Sequence, residues 1–203
     1  MKYTLLLFTS ALIFVFGCKN DPSKSMDYRL IQPLNSDSTV NMIVEIPAGT
    51  TAKYEMDKGS YQLVQDSIDG RPRFIDYLGY PGNYGMIPNT LLSKQFGGDG
   101  DPLDILLLGP SVEKGSVQKV EVIGVLELLD NGEQDDKLIA IDPISKWSSV
   151  NDMNDLDSLY PGVKTMVVSF FQNYKGKGQM KLKGWSGKAR AKKILENAIQ
   201  SSK

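Results

Sequence analysis

Beyond residue 40 the chain is built of short apolar blocks separated by Gly, Pro and Asp, and the period of those blocks changes in the last third. Val40–Ile46 reads as a strand that stops at Pro47-Ala48-Gly49, and Ala52–Met56 reads as a second. Leu103–Leu108 is an apolar run with one acid, Asp104, near its start. Val117–Leu129 is a long run rich in Val, Ile and Leu, and Leu138–Ile141 is a short one. Short strands broken by tight turns predict a small, strongly curved sheet or barrel. From Val163 the period becomes helical. Val163, Met166, Val167, Phe170, Phe171 and Tyr174 fall at i, i+3, i+4 spacing, with Pro161 in a first turn and Asp157 or Ser158 as the cap. Lys188–Ser201 is a second, more polar helix with Ile194, Leu195 and Ile199 turned inward. The expected fold class is α+β, mainly β: a barrel first and helices after.

The first eighteen residues follow another pattern. Lys2 gives a positive start, Leu5–Phe16 is an almost unbroken apolar run too short for a transmembrane helix, and Gly17 precedes Cys18. This is the pattern of an export signal, and the cysteine resembles the lipidated residue of a bacterial lipobox. Residues 19–39 are polar and read as a flexible tether. The expected organisation is a signal peptide over 1–18, a tether over 19–39 and one domain over 40–203. The expected location is a membrane-anchored lipoprotein, periplasmic or at the cell surface, with the lipid bilayer as a partner.

Two absences narrow the chemistry. The chain has no histidine, which removes Ser–His–Asp hydrolases and His-ligated metals. Its one cysteine, Cys18, lies in the export segment, which removes disulfides, zinc–thiolate sites and cysteine nucleophiles from the domain. Carboxylates, lysines, tyrosines and hydroxyls remain, and carboxylates favour hard cations such as Mg²⁺, Mn²⁺ or Ca²⁺. A formal net charge of −1 gives no basic excess for gripping nucleic acid.

The sharpest feature is Gly97-Gly98-Asp99-Gly100-Asp101-Pro102-Leu103-Asp104. Its three clustered carboxylates repel one another unless something cationic binds. Asp104 enters an apolar strand, where a carboxylate needs a partner or a metal. A solvated Asp/Gly turn is the ordinary alternative. An EF-hand loop fails, because its fifth and twelfth positions are Leu103 and Pro110, and no Gly-Lys-Ser/Thr follows to make a P-loop. A second acidic stretch, Asp130 to Lys137, contains a hairpin signal at Asn131-Gly132. Two acidic loops at the ends of adjacent strands could converge on the same metals.

Further segments each have a plain structural explanation. Lys53, Glu55 and Asp57 share one strand face, which on its own reads as a charged edge. Tyr80 and Tyr84 flank a turn in which tyrosines more often pack than bind ligands. Lys175 at a helix end answers the helix dipole. A lone strand acid such as Glu45 usually faces water.

In this order the segments resemble the family I (soluble) inorganic pyrophosphatases. The signature is Asp99-Gly100-Asp101-Pro102-Leu103-Asp104. Around it stand Ile43–Pro47, Lys53-Tyr54-Glu55, Tyr80–Gly85, Asp130 through Asp135 to Lys137, and Tyr174-Lys175. The resemblance implies an OB-like five-stranded β-barrel with helices packed outside. It implies Mg-dependent hydrolysis of pyrophosphate to two phosphates by metal-activated water, without a covalent intermediate. Two or more Mg²⁺ ions are expected, with Mn²⁺ as a substitute. Asp99, Asp104 and Asp135 are implied as principal ligands, Asp130 as holding further metal, and Asp101 as touching metal and deprotonating the attacking water. Glu45 and Glu55 are implied as an acidic shell. Lys53, Arg73, Tyr84, Lys137, Tyr174 and Lys175 are implied as phosphate contacts. Arg71 competes with Arg73 for its role, and Asp136 with Asp135. A homo-oligomer is implied as well. Bacterial members are often hexamers whose contact helix carries histidines where Ser169 and Asn173 stand here. The competing functions are a hydrolase of other phosphate compounds and a metal-binding surface lipoprotein without turnover.

Overall fold

The computed structural model describes residues 26–202. Cys18 and the apolar run before it lie outside the described residues. Eleven strands run in chain order: β1 Val40–Ile46, β2 Tyr54–Met56, β3 Leu63–Gln65, β4 Ser67–Ile68, β5 Arg71–Pro72, β6 Asn83–Met86, β7 Asp104–Leu108, β8 Val117–Asp130, β9 Glu133–Gln134, β10 Lys137–Ile141 and β11 Met180–Gly187. Three α-helices complete the fold: α1 Met153–Leu159, α2 Val163–Asn173 and α3 Lys188–Ser201.

Five strands close a ring. β1 pairs with β6, β6 with β7, β7 with β10, β10 with β8, and β8 returns to β1 through Val40↔Val120 to Ile43↔Val117. The fourteen-residue β8 makes this possible. Its first part pairs with β1, its middle with β10 and its end with β11, so one strand bends through the whole circuit. The expected five-stranded barrel is present. β7 and β10 run parallel, with Lys137 beside Asp104. The other ring pairs are antiparallel.

Strand alternation divides the core in two. Leu106, Leu108, Ile139 and Ile141 face one cluster, which α1 and α2 cover with Leu156, Val167, Phe170 and Phe171. Ile105, Leu107, Leu138 and Ala140 face another, which α3 covers with Ala191, Ile194, Leu195 and Ala198. With helices on both faces the strands are apolar throughout, as the unbroken blocks in the sequence require.

Some expectations are corrected. Asp157 and Ser158 do not cap α2, because they lie inside α1, whose cap is Asp152 accepting from Asn154 N and Asp155 N. α2 starts after Gly162, at φ 91°, and Pro161 precedes the helix. The second strand begins at Tyr54, with Ala52 making an isolated bridge to Phe74. Residues 26–39 are not a free tether. The Tyr28 hydroxyl donates to Gly115 O at 2.8 Å, Leu34 bridges Val40, and Asn89 holds the carbonyls of Arg29 and Ile31.

Candidate active site

The acidic loop is shaped by backbone geometry. Gly100 takes φ 85°, a left-handed conformation costly for other residues. Asp101 N donates to Asp99 Oδ1 at 2.8 Å, while Leu103 N donates to the buried Thr90 hydroxyl at 2.9 Å. Asp99 and Asp101 are thereby presented on the turn as Asp104 starts β7. The second acidic stretch forms the expected hairpin: Asn131 and Gly132 take φ 50° and 95°, and Asp130 pairs with Glu133. Gln134 N donates to Gly97 O at 2.8 Å and draws this hairpin onto the first loop.

The two loops meet at a cavity of about 410 Å³. Asp99, Asp101, Asp104, Asp130, Asp135, Glu45 and Glu55 line it, together with Lys53, Arg73, Tyr84, Lys137, Tyr174 and Lys175. All the site residues inferred from the domain sequence therefore converge here. The competing positions separate cleanly. Arg73 reaches the cavity and pairs with Asp66 at 2.7 Å, whereas Arg71 is exposed on the β4–β5 hairpin. Asp135 lines the cavity, whereas the buried Asp136 turns away to accept from Leu128 N and Gln134 Nε2. Cys18 falls outside the described residues.

Lys58, Glu133 and Gln134 also line the cavity and were not inferred as site residues. Lys58 contacts the Asp101 carboxylate. The signal for it was its place three residues after Glu55 at the end of a short strand.

Lysines hold several of the lining carboxylates. Lys137 contacts Asp104 and lies 2.5 Å from Asp135, Lys175 lies 2.5 Å from Asp130, and Lys53 lies 2.5 Å from Glu55. Among the described residues, with these lysines in contact, no three acids are gathered closely enough to hold a metal ion. Burial pushes Asp135 up, but the charge and hydrogen bond of Lys137, with Lys175 and Lys53, hold it below the ordinary carboxylate value. Burial, with the charges of Asp101, Asp104 and Asp135, raises Asp99. Glu45 is buried, accepts from Met56 N at 2.9 Å, and is pushed up to about 8 by burial and the Asp104 charge. The wet-face reading of Glu45 fails because β1 is covered on both sides.

An aromatic wall fixes the two phenols. Tyr80 packs 5.0 Å from Tyr84, 4.8 Å from Phe170 and 6.0 Å from Tyr174, so it is packing while Tyr84 and Tyr174 face the cavity. Burial and nearby carboxylates raise Tyr84 and Tyr174 well above the usual phenol value, so both keep their protons at neutral pH.

The donor set suits a hard divalent cation. Besides Glu45, which keeps its proton at neutral pH, seven acidic side chains line the cavity against five cationic ones, which leaves an excess of negative charge, and the Asp135 Oδ2 atom is buried without a hydrogen-bond partner. A polyanion enters such a cavity only with cations.

A profile of the inorganic pyrophosphatase family matches residues 42–203. The inorganic pyrophosphatase of Gluconobacter oxydans is 34% identical over 183 residues, covering 88% of this chain and all of that protein. The mitochondrial enzyme of Saccharomyces cerevisiae is 39% identical over 160 residues, and this chain spans about half (51%) of its length. The solved inorganic pyrophosphatase of Schistosoma japonicum superposes with TM-score 0.79 at 31% identity, covering 84% of this chain and 69% of that one. That of Coxiella burnetii gives 0.73 at 32%, covering 85% of this chain and all of that one.

Proposed function

The chain belongs to the inorganic pyrophosphatase family, and we propose that its cavity hydrolyses inorganic pyrophosphate to two phosphates. The observation that carries this reading is the mixed lining of one cavity, in which carboxylates for metal and cations for phosphate share the same space.

In this reading Asp99, Asp104 and Asp135 would hold Mg²⁺, with Mn²⁺ as a substitute, and Asp130 would hold a further ion. Their all-oxygen chemistry fits these ions, and the unpartnered Asp135 oxygen points to a ligand. When bound, the divalent ions make water acidic enough to attack and neutralise charge on attacking and leaving oxygens. Asp101, on an exposed turn and in contact with Lys58, would take a proton of the attacking water on a carboxylate oxygen once that contact opens. Lys53, Arg73, Lys137 and Lys175 bind the phosphate oxygens, the arginine by a fork and the lysines as point charges. Tyr84 and Tyr174, kept as phenols by burial, donate hydrogen bonds to the same oxygens. Glu45 and Glu55 position Lys53 and the β2 backbone through the contacts already described. Membership of the family supports water as the nucleophile, with no covalent intermediate needed.

We also read the chain as an exported lipoprotein anchored through Cys18, on the support of Lys2, the apolar run Leu5–Phe16 and the residues just before the cysteine. Among the described residues no helix is long and apolar enough to cross a membrane. An enzyme placed outside the cytoplasm would scavenge phosphate.

Phosphate release by purified residues 19–203, with Mg²⁺ and with chelator, beside ATP and a simple phosphate ester, tests the function. Fast Mg²⁺-dependent release from pyrophosphate alone is expected. No release from a folded, Mg²⁺-binding protein would turn the site into a binding module.

A further inference from the structure

Charge is unevenly spread along this chain. Lys175 to Ser202 holds eight lysines and arginines against one acid, Glu196, although the whole chain has 23 cationic and 24 acidic residues. Lys175 belongs to the cavity, but the remainder do not. Lys181 and Lys183 flank the inward Leu182 on β11, and Lys192 and Lys193 are exposed on α3. Lys188 and Arg190 are engaged by Glu121 and Glu127, and Lys192 lies 3.8 Å from Glu196. Among the described residues Lys177, Lys181, Lys183 and Lys193 have no acidic side chain at ion-pair distance. Lysines on an edge strand discourage strand pairing. That accounts for Lys181 and Lys183, but not for the helix that continues the same charge.

A second observation places the C-terminal end of this helix beside the entry of the N-terminal segment. Asn89 Nδ2 donates to Arg29 O at 3.1 Å and to Ile31 O at 2.9 Å, while Asn89 O accepts from the Ser202 hydroxyl at 2.8 Å. One residue thus ties the segment leading back to Cys18 to the end of α3. On that segment Met26 is 53% and Leu30 76% exposed. Exposed apolar side chains on the N-terminal segment and exposed lysines on β11 and α3 are together the chemistry of a bilayer surface, with acyl chains beneath anionic headgroups.

We propose that the basic face formed by β11 and α3 lies on an anionic lipid surface, beside the point where the N-terminal segment leaves the domain. The choice of lipid rests on the reading of Cys18 as an anchor, since such a chain already lives at a bilayer. The composition agrees. Seven of the eight cations are lysines, which act as point charges in a diffuse field and lack the forked guanidinium suited to nucleic-acid recognition. The face positions the domain and takes no part in hydrolysis.

The test uses residues 26–203, which contain the strands and helices described above and not Cys18. They are mixed with vesicles of phosphatidylcholine, alone or with about one-third phosphatidylglycerol. Flotation with the anionic vesicles only, lost at high salt, is expected. Replacing Lys181, Lys183, Lys192 and Lys193 by Gln should lower the affinity about fivefold per lysine while phosphate release in solution stays unchanged. Equal binding to both vesicles, no binding to the anionic ones, or an unaffected quadruple variant would overturn the proposal. Tighter binding to single-stranded RNA or polyphosphate than to vesicles would overturn the lipid assignment. Two controls separate the readings. A Cys18 found unlipidated by mass spectrometry of cell membranes removes the anchor alone, and absent turnover with intact vesicle binding removes the hydrolase reading alone.

Discussion

Lys137 faces Asp104 in register across the parallel pair of β10 and β7, with its ammonium group on the Asp104 carboxylate. The same ammonium group lies 2.5 Å from Asp135. The lysine side chain is 1% exposed, so the fold buries a cation between two acids. Burial lowers Lys137, but the two carboxylates outweigh it and hold the group charged.

Lys137→Met should therefore leave two neighbouring carboxylates uncompensated. Breaking a buried pair from one side costs about 3–5 kcal/mol, and the loss should appear in urea unfolding with chelator present. Excess Mg²⁺ should recover part of it, since cations would then neutralise Asp104 and Asp135. An equal loss with and without Mg²⁺ would count against these carboxylates as metal ligands.

Asp135 and Asp136 should separate in the same assays. Asp135→Asn should weaken Mg²⁺ binding and turnover while the fold remains. Asp136→Ala should cost about 1–3 kcal/mol of stability, because Leu128 N and Gln134 Nε2 lose their buried acceptor. Calorimetric Mg²⁺ titration and urea melts read the two effects. A variant of Asp136 that loses Mg²⁺ affinity and keeps its stability would reverse the assignment.

How much of this was legible follows from the range of each signal. Asp99 to Asp104 is a local motif, and strand alternation carries Asp104, Leu106 and Leu108 to one face without tertiary knowledge. The choice between Asp135 and Asp136 is set by one residue of register, which the β8–β9 hairpin fixes and the sequence leaves open. Glu45 was misread because its burial depends on elements arriving from both sides of β1. β11 escaped notice because its lysines, glycines and serine mask the alternation of Met180 and Leu182, and α1 because seven mostly polar residues give too short a helical pattern. Closure of β1 onto β8 is a pairing across 74 or more positions, beyond any local pattern.

Glu45 predicts a pH dependence of its own. Its ordinary value is 4.5 and its folded value about 8, so between them the folded chain keeps a proton that the unfolded chain has lost. Folding is then favoured most by this group below 4.5, and the advantage is lost progressively as pH rises toward 8. With chelator present, thermal stability should fall across that window. Glu45→Gln should flatten the fall and be more stable than the parent at the alkaline end. Parallel curves for the two proteins would show that Glu45 titrates normally.

Asp101 and Lys58 test the chemistry at the mouth. Their side chains are 51% and 67% exposed, so the contact between them contributes little to stability. Asp101→Asn keeps the size of the side chain but removes its ability to take a proton, and turnover should fall about 10²–10⁴-fold with an unchanged melting temperature. Near-normal turnover in that variant would remove Asp101 as the base. If Asp101 is the base, the Lys58 ammonium group has to leave it before the carboxylate can act, and this exposed cation is then placed to meet an incoming anion. Lys58→Ala should raise KM severalfold with a smaller change in kcat, and Lys58→Arg should restore KM. A loss confined to kcat, unrescued by arginine, would instead make Lys58 part of the proton-transfer geometry.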